Sequence, residues 1–156
     1  MFPRTRNLGL LVGALIGSSP AAAGPGAVIG PIAAPDPPAS CGCRFRTAAH
    51  AQTHSPREEV LLCPGVGASG AALMNLGGAD RRLRVLESRH LGRPAVGTRW
   101  SARFGGAGGG LTVRLDARIG ALRPDDAAFR AYEGTLTVLR GTAILGREEV
   151  VGVCAC

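Results

Sequence analysis

The 156-residue sequence contains no lysine, and all 18 of its basic residues are arginine. That absence excludes a Walker-type phosphate loop, which needs a lysine to reach the terminal phosphates. The glycine tract at 105–110 does not change this, because it precedes a strand pattern where phosphate loops precede a helix. Aromatic residues make up only 4%, with one Trp, one Tyr and four Phe, too few for a base-stacking platform. The formal net charge of +7 accompanies 24 Gly and 11 Pro, a coding bias of GC-rich DNA. It is therefore not read as a nucleic-acid footprint, and no nucleic-acid partner is expected.

The sequence also lacks a long apolar run and a catalytic constellation. Its main apolar stretch, residues 8–16, follows Arg4 and Arg6 and leads to Ala21, Ala22 and Ala23, the layout of a secretory signal peptide. Cleavage near Ala23 and a secreted, periplasmic or cell-surface location follow, with no membrane span in the mature chain. Gly67-Ala68-Ser69-Gly70 is half of a nucleophile elbow without its final glycine. The adjacent pairs Asp125-Asp126 and Glu148-Glu149 would diverge on a strand, so neither resembles an acid and base dyad. Neither an enzyme nor a cofactor is expected. No Asn-x-Ser/Thr acceptor follows the signal.

What is present is alternation. Leu111, Val113, Leu115, Ala117 and Ile119 interleave with Thr112, Arg114, Asp116 and Arg118, the period of a strand with one buried face. This strand lies between the glycine tract and a corner, Leu122-Arg123-Pro124-Asp125-Asp126, where Pro fixes φ and Asp bonds nearby amides. Further strands are expected at 57–63, 71–76, 82–87 and 99–104, the last with Trp100, Ala102 and Phe104 on one face. Residues 125–132 read as a short helical turn or as a corner leading into a strand. A hairpin about Arg140-Gly141 would join 135–139 to 142–151. Residues 24–40, rich in Pro, Ala and Gly, read as an extended leader. Short strands without a long helical pattern favour an all-β sandwich or barrel over residues 41–156.

The five cysteines are Cys41, Cys43, Cys63, Cys154 and Cys156. In a secreted chain they are disulfide candidates, and bridges between the two Cys-x-Cys pairs would staple the ends of the domain. The odd count leaves a thiol for an intermolecular bond. The alternative is a soft-metal site for copper or zinc, formed by Cys41, Cys43, His50 and His54.

About the last hundred residues of the chain resemble, in outline, a variable-set immunoglobulin domain. The resemblance rests on Arg103-Phe104 before a small-residue tract, on Leu111-Thr112-Val113, and on residues 122–129 as the corner that follows. Glu59-Val60-Leu61-Leu62-Cys63 is similar to the family's strand with the first core cysteine. The sequence departs from the pattern in three places. Met74 or Leu76 stands where the core Trp is expected, Ala131 where the second cysteine is, and Phe129 where the corner Tyr is. The resemblance implies an immunoglobulin-like, two-sheet antiparallel β-sandwich and an ion pair between Arg103 and Asp125. It also implies a non-enzymatic role in binding another protein, as a receptor, decoy or surface factor, through a face carrying Arg84, Leu86, Arg130 and Tyr132.

Overall fold

A computed structural model describes residues 28–33, 42–51, 58–65, 69–106, 110–123 and 126–155. The strands are β1 (Ile29–Gly30), β2 (Gly42–Thr47), β3 (Glu59–Cys63), β4 (Ala71–Leu76), β5 (Ala79–Leu91), β6 (Arg99–Gly105), β7 (Leu111–Arg123), β8 (Asp126–Arg140) and β9 (Ala143–Ala155). From β2 to β9 each strand pairs antiparallel with the next, and β9 returns to pair with β2. The result is a closed, eight-stranded, up-and-down barrel, with β1 added against the end of β4.

This overturns the two-sheet sandwich and the immunoglobulin resemblance with it. In the immunoglobulin fold the strands on either side of the corner lie in opposite sheets. Here β7 and β8 are direct neighbours, paired from Leu111↔Arg140 to Arg123↔Asp126, so the corner is a hairpin turn in one continuous sheet. The β3–β4 pairing, Leu61↔Met74 and Leu62↔Leu73, and the β5–β6 pairing, Arg84↔Gly105 through Leu91↔Arg99, likewise join strands that the resemblance puts in opposite sheets. Local alternation is the same in both architectures, because each strand has one buried face in either.

The alternation of β7 does define the interior. Val113, Leu115, Ala117 and Ile119 are buried while Arg114, Asp116 and Arg118 face out, and Trp100, Ala102 and Phe104 of β6 are buried beside them. An eight-stranded barrel has an interior just wide enough for side chains to fill. Three rings occupy one region of it, with centroids 5.9 Å apart for Phe45 and Trp100, 5.2 Å for Trp100 and Tyr132, and 6.4 Å for Phe45 and Tyr132. Their bulk is matched by glycine on neighbouring strands. Gly152 is paired with Phe45 and Tyr132, and a Cβ there would overlap the Phe45 ring. Gly134 is paired with Ala117, and a Cβ there would overlap the Asp116 carbonyl oxygen.

Residues 125–132, read from the sequence as a helical turn or a corner, fall largely within the single 15-residue strand β8. The strand expected at 82–87 also continues, as β5, to Leu91. A bulge between Val85 and Glu87 leaves Leu86 outside, against Gly105, and shifts the phase so that Ser88 and His90 follow Val85 on the inner face.

The barrel has two distinguishable ends. At one, β1 is held by the β4–β5 hairpin: Ala33 N–H donates to Asp80 (3.0 Å to Oδ2), Gly77 N–H to the Val28 carbonyl (3.0 Å), and Asn75 Nδ2 to Asp80 Oδ1 (2.8 Å). Ile29 and Ile32 are buried there. Residues 28–33 thus belong to the barrel although they lie inside the stretch read as a leader. At the other end lie the last residues of β3, β5, β7 and β9, the first residues of β2, β4, β6 and β8, and the connection at 92–98.

Candidate functional site

The end opposite β1 is organised by one row of paired residues. Cys63 of β3 faces Cys43 of β2, which faces Cys154 of β9, which faces Arg130 of β8, which faces Leu122 of β7. A disulfide joins Cys43 to Cys154 across β2 and β9, the pair of strands that closes the barrel. Cys63 is a buried thiol, and burial pushes its pKa far above the usual thiol range, so it is held as the inert neutral form. Cys41 and Cys156 lie outside the described residues.

One layer below this row, the inward residue of β8 is Tyr132, 2% exposed and in edge-to-face contact with Trp100. Trp100 is paired with His90 and donates its indole N–H to Ser88 Oγ at 3.0 Å. The bulge in β5 is what turns Ser88 and His90 toward these rings. Period two in β8 places Arg130 on the same inner face as Tyr132. Three buried polar atoms here have no hydrogen-bond partner: His90 Nε2, Arg130 Nε and Tyr132 Oη. Among the described residues no carboxylate forms an ion pair with Arg130.

The charges fit together. Burial, and then the positive charge of Arg130, hold the His90 imidazole below its usual range. Burial raises the Tyr132 phenol, and Arg130 offsets part of that rise by its charge and its proximity, without a hydrogen bond of good geometry. At neutral pH this end of the barrel therefore presents one guanidinium cation, one neutral imidazole and one phenolic O–H. A folded-state pKa below the unfolded value means that the unfolded chain binds the His90 proton more readily. Stability from this source is complete above the unfolded pKa of about 6.5 and is lost as pH falls through the folded value. In urea titrations between pH 7.5 and 5, His90→Gln is expected to lose less stability on acidification than the parent chain.

The outer surface offers a contrast. A groove of about 630 Å³ runs across β5 to β9 over Arg99, Ser101, Asp116, Arg118 and Glu133. Its polar groups bond to one another: Arg118 to Glu133 at 2.8 Å, Ser101 to Asp116 at 3.3 Å, and Thr135 to Glu149 at 2.9 Å. Such cross-strand pairs satisfy a solvated sheet face. Among the described residues three of the four unpartnered buried side-chain atoms are inside the disulfide end, the fourth being Glu58 Oε2 just before β3.

The residues expected to form a protein-binding face do not share one. Arg84 and Leu86 are exposed on the outside of β5, whereas Arg130 and Tyr132 point into the barrel. Asp125, the implied partner of Arg103, lies outside the described residues, and Arg103 Nη1 is 3.9 Å from Glu87 Oε2. In the metal alternative, Cys41 and His54 also lie outside them. The Cys43 sulfur is in the disulfide, and His50 Nδ1 is 2.7 Å from Thr47 Oγ1. Among the described residues no group of three or more ligating side chains is assembled for a metal.

No family model, no curated protein and no solved structure matches the chain. Among the described residues no helix is long and apolar enough to cross a membrane. The Cys43–Cys154 disulfide fits an extracellular protein, since such bonds persist in oxidising compartments.

Proposed function

We propose that the chain is a secreted, non-enzymatic binding module that engages another protein at the disulfide end of its barrel. The supporting observation is the pairing of unpartnered interior groups with an apolar rim at that end. Leu91 is 60% exposed, Val96 66%, Leu122 38% and Val153 40%. Val96 lies on the connection at 92–98, Leu91 and Leu122 lie near strand ends at the barrel end that carries the Cys43–Cys154 disulfide, Val153 adjoins Cys154 on the outer face, and all four lie away from β1. Exposed apolar side chains at the same end of a molecule as polar groups are the usual composition of a protein contact surface. The packed interior leaves the barrel as a rigid support for that rim.

The test is capture from the fluid of the native host by the immobilised mature chain. The parent and an Ile144→Ser control, altered near the β8–β9 turn at the other end, are expected to retain the same discrete partner. A Leu91→Ser/Val96→Ser variant is expected to lose it. Equal capture by all three would remove the disulfide end from consideration as the binding surface.

A further inference from the structure

We infer that the group received inside the disulfide end is a carboxylate, anchored by Arg130 and Tyr132 with His90 beside them and carried on an apolar body that rests on the rim. The inference rests on the reading of that end as the binding surface and adds the chemistry of what enters it. Buried polar atoms in native proteins nearly always have partners, because an unmade hydrogen bond inside the protein leaves the desolvation cost uncompensated. Three orphans, His90 Nε2, Arg130 Nε and Tyr132 Oη, occur together within the inner layers around Trp100 and the disulfide. Tyr132 is only 2% exposed and its ring packs against Phe45 and Trp100, so its hydroxyl cannot swing out to solvent.

The chemistry of the three groups selects the ligand. Arg130 supplies a planar donor fork, which matches a carboxylate in a bidentate way. Tyr132 supplies one O–H donor, and His90 supplies an N–H at Nε2 in the tautomer that carries its proton there. One cation among two neutral donors balances a monoanion, whereas a phosphate dianion would leave a charge uncompensated at a buried site. A cationic ligand is opposed by Arg130. The apolar part follows from Val96 on the connection and Leu122 at the end of β7, both exposed at this end of the barrel.

The same carboxylate chemistry is offered by a free apolar acid and by the C-terminus of a protein, and the experiment separates these sources. The mature chain, labelled with ¹⁵N, is titrated with octanoate, octylammonium and octyl phosphate. It is also titrated with a six-residue apolar peptide ending in leucine, as the free acid and as the C-terminal amide. The expected result is that octanoate or the peptide acid shifts the Arg130 side-chain resonance and the Gly152 and Cys154 amides, while octylammonium and the peptide amide do not. Arg130→Gln is expected to raise the dissociation constant at least about tenfold and Tyr132→Phe, which keeps the ring packing, about threefold to tenfold. Binding that is equal in parent and Arg130→Gln, or equal for octanoate and octylammonium, would overturn the carboxylate assignment, as would the absence of any binding. If octanoate binds strongly and the peptide acid does not, the carboxylate stands and the protein partner falls. If a partner is captured through the rim with the same affinity by Arg130→Gln, the protein partner stands and the carboxylate falls.

Discussion

Replacing Cys43 and Cys154 together by alanine is expected to lower the free energy of unfolding by roughly 4 to 5 kcal/mol. The bond closes a loop with a sequence separation of 111 residues, and the cross-link removes loop-closure entropy from the unfolded chain in proportion to the logarithm of that length. The location adds to the effect. The bond joins β2 to β9, where the first barrel strand meets the last, so its loss frees the seam whose pairing is least supported by chain connectivity. The replacement must be double, because Cys63 is register partner to Cys43 and could form a new bond if Cys154 alone were changed. Urea denaturation of the double variant against the oxidised parent measures the difference. A loss below about 1 kcal/mol would mean that the seam is held by its hydrogen bonds and packing alone.

The other large effect is expected from glycine. Gly152→Ala would drive a methyl group into the Phe45 ring and toward the Arg44 carbonyl oxygen, which would lie 2.6 Å from the new atom. Gly134→Ala would drive one into the backbone of β7 at Asp116 and Ala117. Neither neighbour can move without displacing the aromatic cluster or a central strand, so each change is expected to cost about 3 kcal/mol or more. Gly120→Ala is the matched control. It lies on the exposed face of β7, and its nearest atoms would be those of the Glu133 side chain at 3.7 Å or beyond, an ordinary contact. Its stability is expected to stay within about 0.5 kcal/mol of the parent. Thermal or urea unfolding of the three variants checks the contrast.

Strands were legible where an alternating apolar face survives in the sequence, as in β6 and β7, because polarity alone then reports which side is buried. The same signal could not separate barrel from sandwich, since the deciding facts are which strands pair, above all β7 with β8 and β3 with β4, and pairings leave no mark on any single strand. The immunoglobulin resemblance followed a turn, Leu122 to Asp126, that serves as well for a plain hairpin. Arg130 and Tyr132 are singled out in the sequence together with Arg84 and Leu86, and the barrel puts the first two on its inner side and the last two outside. Ser88 and His90 were missed because the bulge at Leu86 shifts the phase of β5, so that its next inward positions are polar and no longer look like part of a buried face. The 15-residue β8 was divided in the reading because the local signals of the Asp125 corner outweighed the pairing that extends it.

Every ladder of the barrel but one joins strands that follow one another in the chain. Seven hairpin-like steps can therefore form early and locally, at small cost in chain ordering, while the remaining contact must bring segments more than a hundred residues apart to the same place. Circularisation is accordingly expected to be the slow step in folding, which stopped-flow refolding of the reduced chain would check. Ring closure in register sets Cys43 directly opposite Cys154, so it favours this bond over the pairings open to an uncurled chain with five cysteines.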